Sequence, residues 1–173
     1  SNLAVALYFE ERHEEALRHF SEVINLRPRY PNAYANRAKS HAKNGNHQLA
    51  VNDYLEQLKY IPDNWEYHFQ LANSFRALRQ HGQAIIYYTK TVELNPTNHS
   101  AYFNRAEAYM NQQKFALALE DINKVAELLP DNKDVYSNRG TLNSYLGNFE
   151  KAISDYTIAI NGNAANPENM YFY

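Results

Sequence analysis

The chain has 173 residues, of which 45% are apolar and 21% charged, and its 17 Lys and Arg against 19 Asp and Glu give a formal charge of −2. A near-neutral total without long runs of like charge disfavours binding to nucleic acid or to an anionic membrane surface. The lack of cysteine excludes disulfides, thiolate nucleophiles and Cys-ligated zinc, and no run approaches the 18 apolar residues of a membrane span, so no membrane insertion is expected.

A fixed period organises the sequence. Prolines recur every thirty-four residues, at Pro28, Pro62, Pro96 and Pro130. Twelve residues before each proline stands an alanine and eight before it a large apolar residue, in the pairs Ala16 and Phe20, Ala50 and Tyr54, Ala84 and Tyr88, and Ala118 and Ile122. Because proline ends helices and a fixed period of this length is typical of repeat architectures, the pattern predicts one pair of helices per period.

In chain order, the predicted repeats are 1–28, truncated at its start, then 29–62, 63–96, 97–130 and 131–164. In 97–130, apolar residues recur at helical spacing from Tyr102 to Met110, a polar break follows, and the apolar stripe resumes from Phe115 to Ala126. One such helix pair cannot bury its apolar face alone, so neighbouring repeats must stack. The sequence therefore predicts that residues 1–173 form a single elongated domain.

The C-terminal residues 165–173 are read either as a cap helix or as the start of a sixth repeat. Pro167 comes three residues later than the period requires, and Met170, Tyr171, Phe172 and Tyr173 make the end rich in aromatic residues. Terminal repeats need a polar outer face to stay soluble, so an apolar end predicts self-association through the terminal repeats.

No catalytic residue and no metal site is predicted. The sequence contains no Gly-rich phosphate loop, no His-Glu-x-x-His and no Gly-x-Ser-x-Gly. His13, His47 and His81 recur at the period, but equivalent positions in successive repeats lie at least about 8–10 Å apart, whereas zinc needs ligands at about 2.0–2.1 Å. These histidines are expected to be half-buried rings at the turn into the second helix. The chain is predicted not to be an enzyme and to hold no cofactor.

The order of an aromatic residue, a small residue, Ala-x3-aromatic and Pro, seen in Tyr34, Ala38, Ala50, Tyr54 and Pro62, resembles the tetratricopeptide repeat (TPR) family. The match covers nearly the whole chain. Departures from the family pattern fall at His41, Gln57, Ile122 and Asn143. The resemblance implies an all-α, right-handed superhelical solenoid of about five stacked helix-turn-helix repeats.

The resemblance also implies that the first helix of each repeat lines a concave, ligand-binding groove. An amide side chain recurs eight residues after each proline, at Asn36, Gln70, Asn104 and Asn138, which we call the amide ladder. An amide can both donate to and accept from a peptide backbone whatever the peptide's sequence, and similar asparagine ladders hold peptides in some family members. The alternative is that asparagine is simply frequent here. Helical spacing adds further groove candidates: Lys39, Lys43, Phe69, Asn73, Arg76, Phe103 and Glu107.

The predicted function is a non-catalytic scaffold that binds a peptide or an extended segment of a partner protein in this groove. The alternative is a targeting or regulatory segment of a larger enzyme, such as a glycosyltransferase that carries similar repeats. A helical repeat that binds RNA requires a basic groove. The near-neutral charge of this chain does not indicate one, so no nucleic acid partner is expected. An intracellular, cytoplasmic setting is the default expectation.

In the repeats from 29–62 to 131–164, an arginine and an aspartate at two fixed positions are either both present or both absent. The pairs, sixteen residues apart, are Arg37 with Asp53, Arg105 with Asp121, and Arg139 with Asp155. Repeat 63–96 has neither charge and carries Leu71 and Tyr87 at these positions. This covariation predicts a partly buried ion pair between each arginine and the aspartate of its own second helix or an adjoining one. The alternative is a set of solvated charges without contact.

Overall fold

A computed structural model describes residues 13–30 and 32–161. These residues form the α-helices α1 (His13–Leu26), α2 (Ala33–Lys43), α3 (His47–Tyr60), α4 (Trp65–Ala77), α5 (His81–Leu94), α6 (His99–Asn111), α7 (Phe115–Leu128), α8 (Lys133–Tyr145) and α9 (Phe149–Asn161). The described ranges contain no strand, and the predicted all-α class is confirmed. The expectations for the first helix of repeat 1–28 and for residues 165–173 lie outside the described residues.

The chain divides into two compact units, unit one (1–95) and unit two (96–173). In unit one, α1 packs against α2, α2 against α3, α3 against α4, and α4 against α5. In unit two, the helices from α6 to α9 do the same. The pairs α2 with α3, α4 with α5, α6 with α7, and α8 with α9 each lie within one predicted repeat, which confirms the helix-turn-helix reading of the period.

Three first helices begin with the same cap. Asn64, Asn98 and Asn132 stand two residues after a repeat proline, and the side-chain oxygen of each accepts a hydrogen bond of 3.0–3.1 Å from a backbone N–H of the first turn. Such a cap satisfies one of the N–H groups that a helix leaves without a partner and stabilises it by about 1 kcal/mol. The proline and the asparagine thus end one helix and start the next.

The start of α2 is built differently. Its N-cap residue, Asn32, has a left-handed backbone with φ of 62° and makes no side-chain cap bond. The Asn32 side-chain oxygen instead accepts the hydroxyl of Tyr67 at 2.6 Å. Gln57, buried in α3, accepts the backbone N–H of Ala35 at 3.3 Å. Gln57, which departs from the small residue usual in the family, therefore satisfies a donor in the first turn of another helix.

The turn inside each of the four repeats from 29–62 to 131–164 contains one left-handed residue, always at the same repeat position. The φ angles are 76° at Gly45, 57° at Arg79, 58° at Gln113 and 76° at Gly147. Glycine adopts this conformation without a steric penalty, whereas a side chain costs roughly 1–2 kcal/mol there. The turn is thus defined by backbone geometry, which two of the repeats reach without glycine.

Small residues let the two helices of a repeat approach closely. Ala38, Ala72 and Ala106 are buried on the first helices, and Gly140 holds the same position in α8. A Cβ at Gly140 would come within 2.9–3.2 Å of the Tyr156 ring, which shows how tightly α8 and α9 pack. Interiors packed at this density leave no room for larger side chains.

Candidate functional site

One groove candidate on α2 forms an ion pair that joins two first helices. Lys39 Nζ donates to Glu66 Oε1 on α4 at 3.2 Å. Both side chains remain partly exposed, and pairs of this kind contribute about 0–1 kcal/mol to stability. The pair therefore neutralises the charge of this surface more than it holds the helices together. Lys43 is exposed at the end of α2.

Two groove candidates on α4 are fixed by one residue of α5. The Phe69 ring lies 5.9 Å from the ring of Tyr88 at a tilt of 56°, and the Tyr88 hydroxyl donates to Asn73 Oδ1 at 2.6 Å. Tyr88 is completely buried. The second helix of the repeat thus sets the positions of Phe69 and Asn73, while Gln70 and Arg76 lie half-buried on the same first helix.

A cleft of about 260 Å³ opens in unit two among α6, α7 and α8, and we call it the unit-two cleft. Its lining includes Phe103 and Asn104 of α6, Val125 of α7, and Asp134 and Val135 of α8. The two valines are 2–3% exposed and form an apolar floor, whereas Asp134 is exposed. Two predicted groove residues therefore share a site with two valines that the amide pattern does not indicate.

The remaining candidates of unit two do not line this cleft. Glu107 is half-buried on α6, and Asn138 is half-buried on α8. The Asn138 Nδ2 group donates to the backbone carbonyl of Asp134 at 2.7 Å. All four side chains of the amide ladder are half-buried, so each is partly accessible to solvent.

The predicted arginine–aspartate pairs form in all three repeats. The N–O distances are 2.7 and 2.8 Å for Arg37 with Asp53, 2.6 and 2.8 Å for Arg105 with Asp121, and 2.6–3.1 Å for Arg139 with Asp155. The aspartate side chains are only 5–7% exposed. Each arginine of a first helix binds the second helix of its own repeat through two nitrogens, so the prediction of partly buried pairs is confirmed.

Aromatic rings surround the pair in repeat 97–130. The Arg105 guanidinium lies 5.6 Å from the ring centroid of Tyr102 and 6.0 Å from that of Tyr109. Burial lowers the pKa of Arg105, but its hydrogen bonds to Asp121 and the charge of that carboxylate outweigh this effect and raise the pKa. Burial raises the pKa of the Asp121 carboxyl, and Arg105 opposes the rise. The attraction within the pair therefore favours the charged form of both groups.

Repeat 63–96 replaces the ion pair with stacked rings. Leu71 is completely buried at the arginine position. Tyr87, at the aspartate position, stacks on Phe75 at 5.5 Å and 9° and on His68 at 6.0 Å and 20°. Those two rings stand one repeat before the tyrosines that flank Arg105. The same two positions of the repeat thus hold either an arginine–aspartate pair or a leucine and a tyrosine.

Two of the three recurrent histidines lie at the starts of second helices. His47 and His81 are the first residues of α3 and α5 and are half-buried, as expected from the sequence. The side chain of His13 lies outside the described part of the chain. Among the residues that the structure describes, no three His, Cys, Asp or Glu side chains are grouped so that they could hold a metal ion. Within the same residues, every helix is too short or too polar to cross a membrane.

Three family models match the sequence. A model described as TPR repeat matches residues 4–45. Two models described as tetratricopeptide repeat match residues 31–64 and 69–133. No curated protein matches the chain.

Several solved structures have a similar fold. A crystal structure of MamA gives a TM-score of 0.87 at 16% identity, covering 92% of this chain and 94% of that one. MamA from Desulfovibrio magneticus RS-1 gives 0.84 at 20% identity, covering 92% and 90%. YrrB, described as a TPR protein with an unusual peptide-binding site, gives 0.83 at 24% identity, covering 92% and 82%. At these identities the likeness concerns the fold alone.

Proposed function

We propose that this chain, which belongs to the tetratricopeptide repeat family, is a non-catalytic scaffold that binds a peptide or an extended segment of a partner protein on its first helices. The fold predicted from the sequence, an all-α solenoid of tetratricopeptide repeats, is confirmed. The observation that carries the proposal is the unit-two cleft, because Asn104 lines it beside an apolar floor. The peptide-binding site described for YrrB is consistent with such a role.

The amide ladder supplies the chemistry of binding. An extended segment brings backbone N–H and C=O groups, and leaving such a group buried without a partner costs about 1–3 kcal/mol. A side-chain amide can accept the first and donate to the second. In unit two, Asn138 already donates its Nδ2 to its own helix, so its oxygen is the atom that accepts from the segment. Asn36 and Gln70 have the same role in unit one.

The ladder is tested by removing two of its amides. A peptide is first selected on the whole chain from a random phage-displayed library and is then titrated into each variant. Asn104→Ala combined with Asn138→Ala should weaken the affinity by roughly tenfold, because each lost hydrogen bond contributes about 0.5–1.5 kcal/mol. Asn123→Ala, which makes the same change at an exposed position of α7, should leave the affinity unchanged. Equal affinities for wild type and the double variant would remove the ladder from the proposal.

We further propose that α9 mediates association between copies of the chain. Phe149, Ile153 and Ile160 are 62–78% exposed and lie on one face of this helix. Exposed apolar faces of this kind favour association. Sedimentation velocity over a concentration series should show dimers or larger species for wild type and a monomer for Ile153→Glu. A wild-type monomer at every concentration would contradict the proposal.

Other expectations from the sequence stay predictions. They are the single domain over residues 1–173, a protein partner with no binding of nucleic acid, and a cytoplasmic setting. The alternative function, a targeting or regulatory segment of a larger enzyme, differs from the scaffold only in what the chain is joined to. The binding experiment above therefore applies to both.

A further inference from the structure

We infer that the unit-two cleft is a pocket for one tyrosine side chain of the bound segment, and that basic residues flank this tyrosine. The inference deepens the proposed function and rests on it. It comes from comparing the cleft with the equivalent place in unit one, which lies two repeats earlier in the sequence.

In unit one, the chain's own side chains fill this place. Tyr67 stands where unit two has Val135, and Gln57 stands where unit two has Val125. Tyr67 is 7% exposed, and its hydroxyl reaches from α4 to Asn32 at the start of α2, at 2.6 Å. Gln57 is 2% exposed and bonds to the first turn of α2. A tyrosine side chain therefore fits between two successive first helices of this protein.

In unit two, the smaller valines leave the place open. The remaining volume of about 260 Å³ is less than the roughly 300–1,000 Å³ of sites that hold drug-sized ligands, so it suits one side chain. Val125 and Val135 offer an apolar surface to a ring. Ser100, at the repeat position of Asn32, lines the cleft and offers a partner for a hydroxyl. A tyrosine from a bound segment would restore the arrangement that Tyr67 makes in unit one.

The charges around the two places differ in a complementary way. In unit one, Lys39 neutralises Glu66 at 3.2 Å. In unit two, Asp134 holds the repeat position of Glu66, lines the cleft and is exposed, and the repeat position of Lys39 holds an acid, Glu107, instead of a lysine. A lysine or arginine of the bound segment supplies to Asp134 the positive charge that Lys39 supplies to Glu66 in unit one. An acidic segment, including one with phosphotyrosine, is repelled.

Short peptides test the inference. The probes are acetylated and amidated Lys-Ala-Tyr-Ala-Lys, the same peptide with Ala at its centre, and Glu-Ala-Tyr-Ala-Glu. Each is titrated into the whole chain, and NMR follows the methyl groups of Val125 and Val135. The first peptide should shift these methyl signals and bind roughly tenfold tighter than the Ala-centred one, because its ring is removed from water against the two valines. The Glu-flanked peptide should bind more weakly than the Lys-flanked one.

Substitutions taken from unit one should abolish both preferences. Val135→Tyr copies Tyr67, fills the cleft from within, and should remove the preference for tyrosine over alanine. Leu117→Tyr, which adds a tyrosine at an exposed position of α7, is the matched control and should retain it. Glu107→Lys copies Lys39 and should remove the preference for lysine flanks over glutamate flanks.

The outcomes separate the pocket from the scaffold. Equal affinities for the Tyr-centred and Ala-centred peptides, or an undiminished tyrosine preference in Val135→Tyr, overturn the pocket. Equal affinities for lysine and glutamate flanks overturn the charge requirement. The side-chain amide signals of Asn104 and Asn138 report on the ladder independently. If every peptide shifts these signals equally, the scaffold stands and the pocket falls; if no peptide shifts them, the scaffold proposal falls as well.

Discussion

Replacing Arg105 by leucine is expected to lower the free energy of unfolding by on the order of 3 kcal/mol or more. The substitution leaves the Asp121 carboxylate buried and without the guanidinium that binds both of its oxygens at 2.6 and 2.8 Å. Removing one partner of a buried pair is costly mainly because the other charge stays behind without compensation. Urea titration of wild type and variant measures the loss. As a control, Arg18→Leu at an exposed position of α1 should change the stability by less than about 0.5 kcal/mol.

A second substitution should recover much of this loss. Arg105→Leu combined with Asp121→Tyr copies Leu71 and Tyr87 of repeat 63–96, where the tyrosine stacks between two rings. Tyr102 and Tyr109 are placed to flank the new ring in repeat 97–130. A double-mutant cycle should therefore show strong coupling between the two positions. Single and double variants of equal stability would contradict a role for the pair in this repeat.

The cost of Arg105→Leu should also depend on pH. Burial raises the pKa of the Asp121 carboxyl, and removing Arg105 takes away the group that opposes the rise. An acid whose pKa is higher in the folded state than in the unfolded state stabilises the fold when protonated, below its unfolded pKa, and this stability is lost as the pH rises through its folded pKa. The difference between wild type and variant should thus shrink as the pH is lowered toward the acid range.

The fold could be predicted from the sequence because equivalent positions of the successive repeats can be compared within this one chain. A proline at the same position of the first four repeats fixes the helix ends, and the covariation of Arg105 with Asp121 across repeats predicts a contact that one repeat alone cannot show. The structure adds what depends on backbone geometry. Arg79 and Gln113 adopt the left-handed turn conformation that glycine marks in two other repeats, and no residue type at those positions indicates it.

The candidate site could be predicted only in part. The sequence places Phe103 and Asn104 on a first helix, but their environment depends on the sizes of side chains from two other helices. Comparing positions two repeats apart would have shown that Tyr67 is replaced by Val135. It would not have shown that the smaller residue leaves an open cleft, because a packed core can close over such a change through small shifts of its helices.

A second large effect is expected at Tyr88, which contacts the groove candidates of α4 from within the core. Tyr88→Ala should lower the free energy of unfolding by about 3–5 kcal/mol, the range for deleting a buried aromatic ring. The ring is completely buried, contacts Phe69 at 5.9 Å, and carries the hydroxyl that binds Asn73. Ile86→Ala, at an exposed position of the same helix, should have little effect.

Tyr88→Phe separates the hydroxyl of this residue from its ring. It keeps the apolar ring and removes the hydroxyl together with its 2.6 Å bond to Asn73, so the loss should be about 0.5–1.5 kcal/mol. Tyr156 holds the same repeat position in α9, where it is exposed and donates to Thr141 at 3.2 Å, and Tyr156→Phe should therefore cost less. In Tyr88→Phe the side-chain amide signal of Asn73 should also broaden, because the hydroxyl no longer holds it. An unchanged Asn73 signal, or equal losses for Tyr88→Phe and Tyr156→Phe, would show that the buried hydroxyl does not position Asn73.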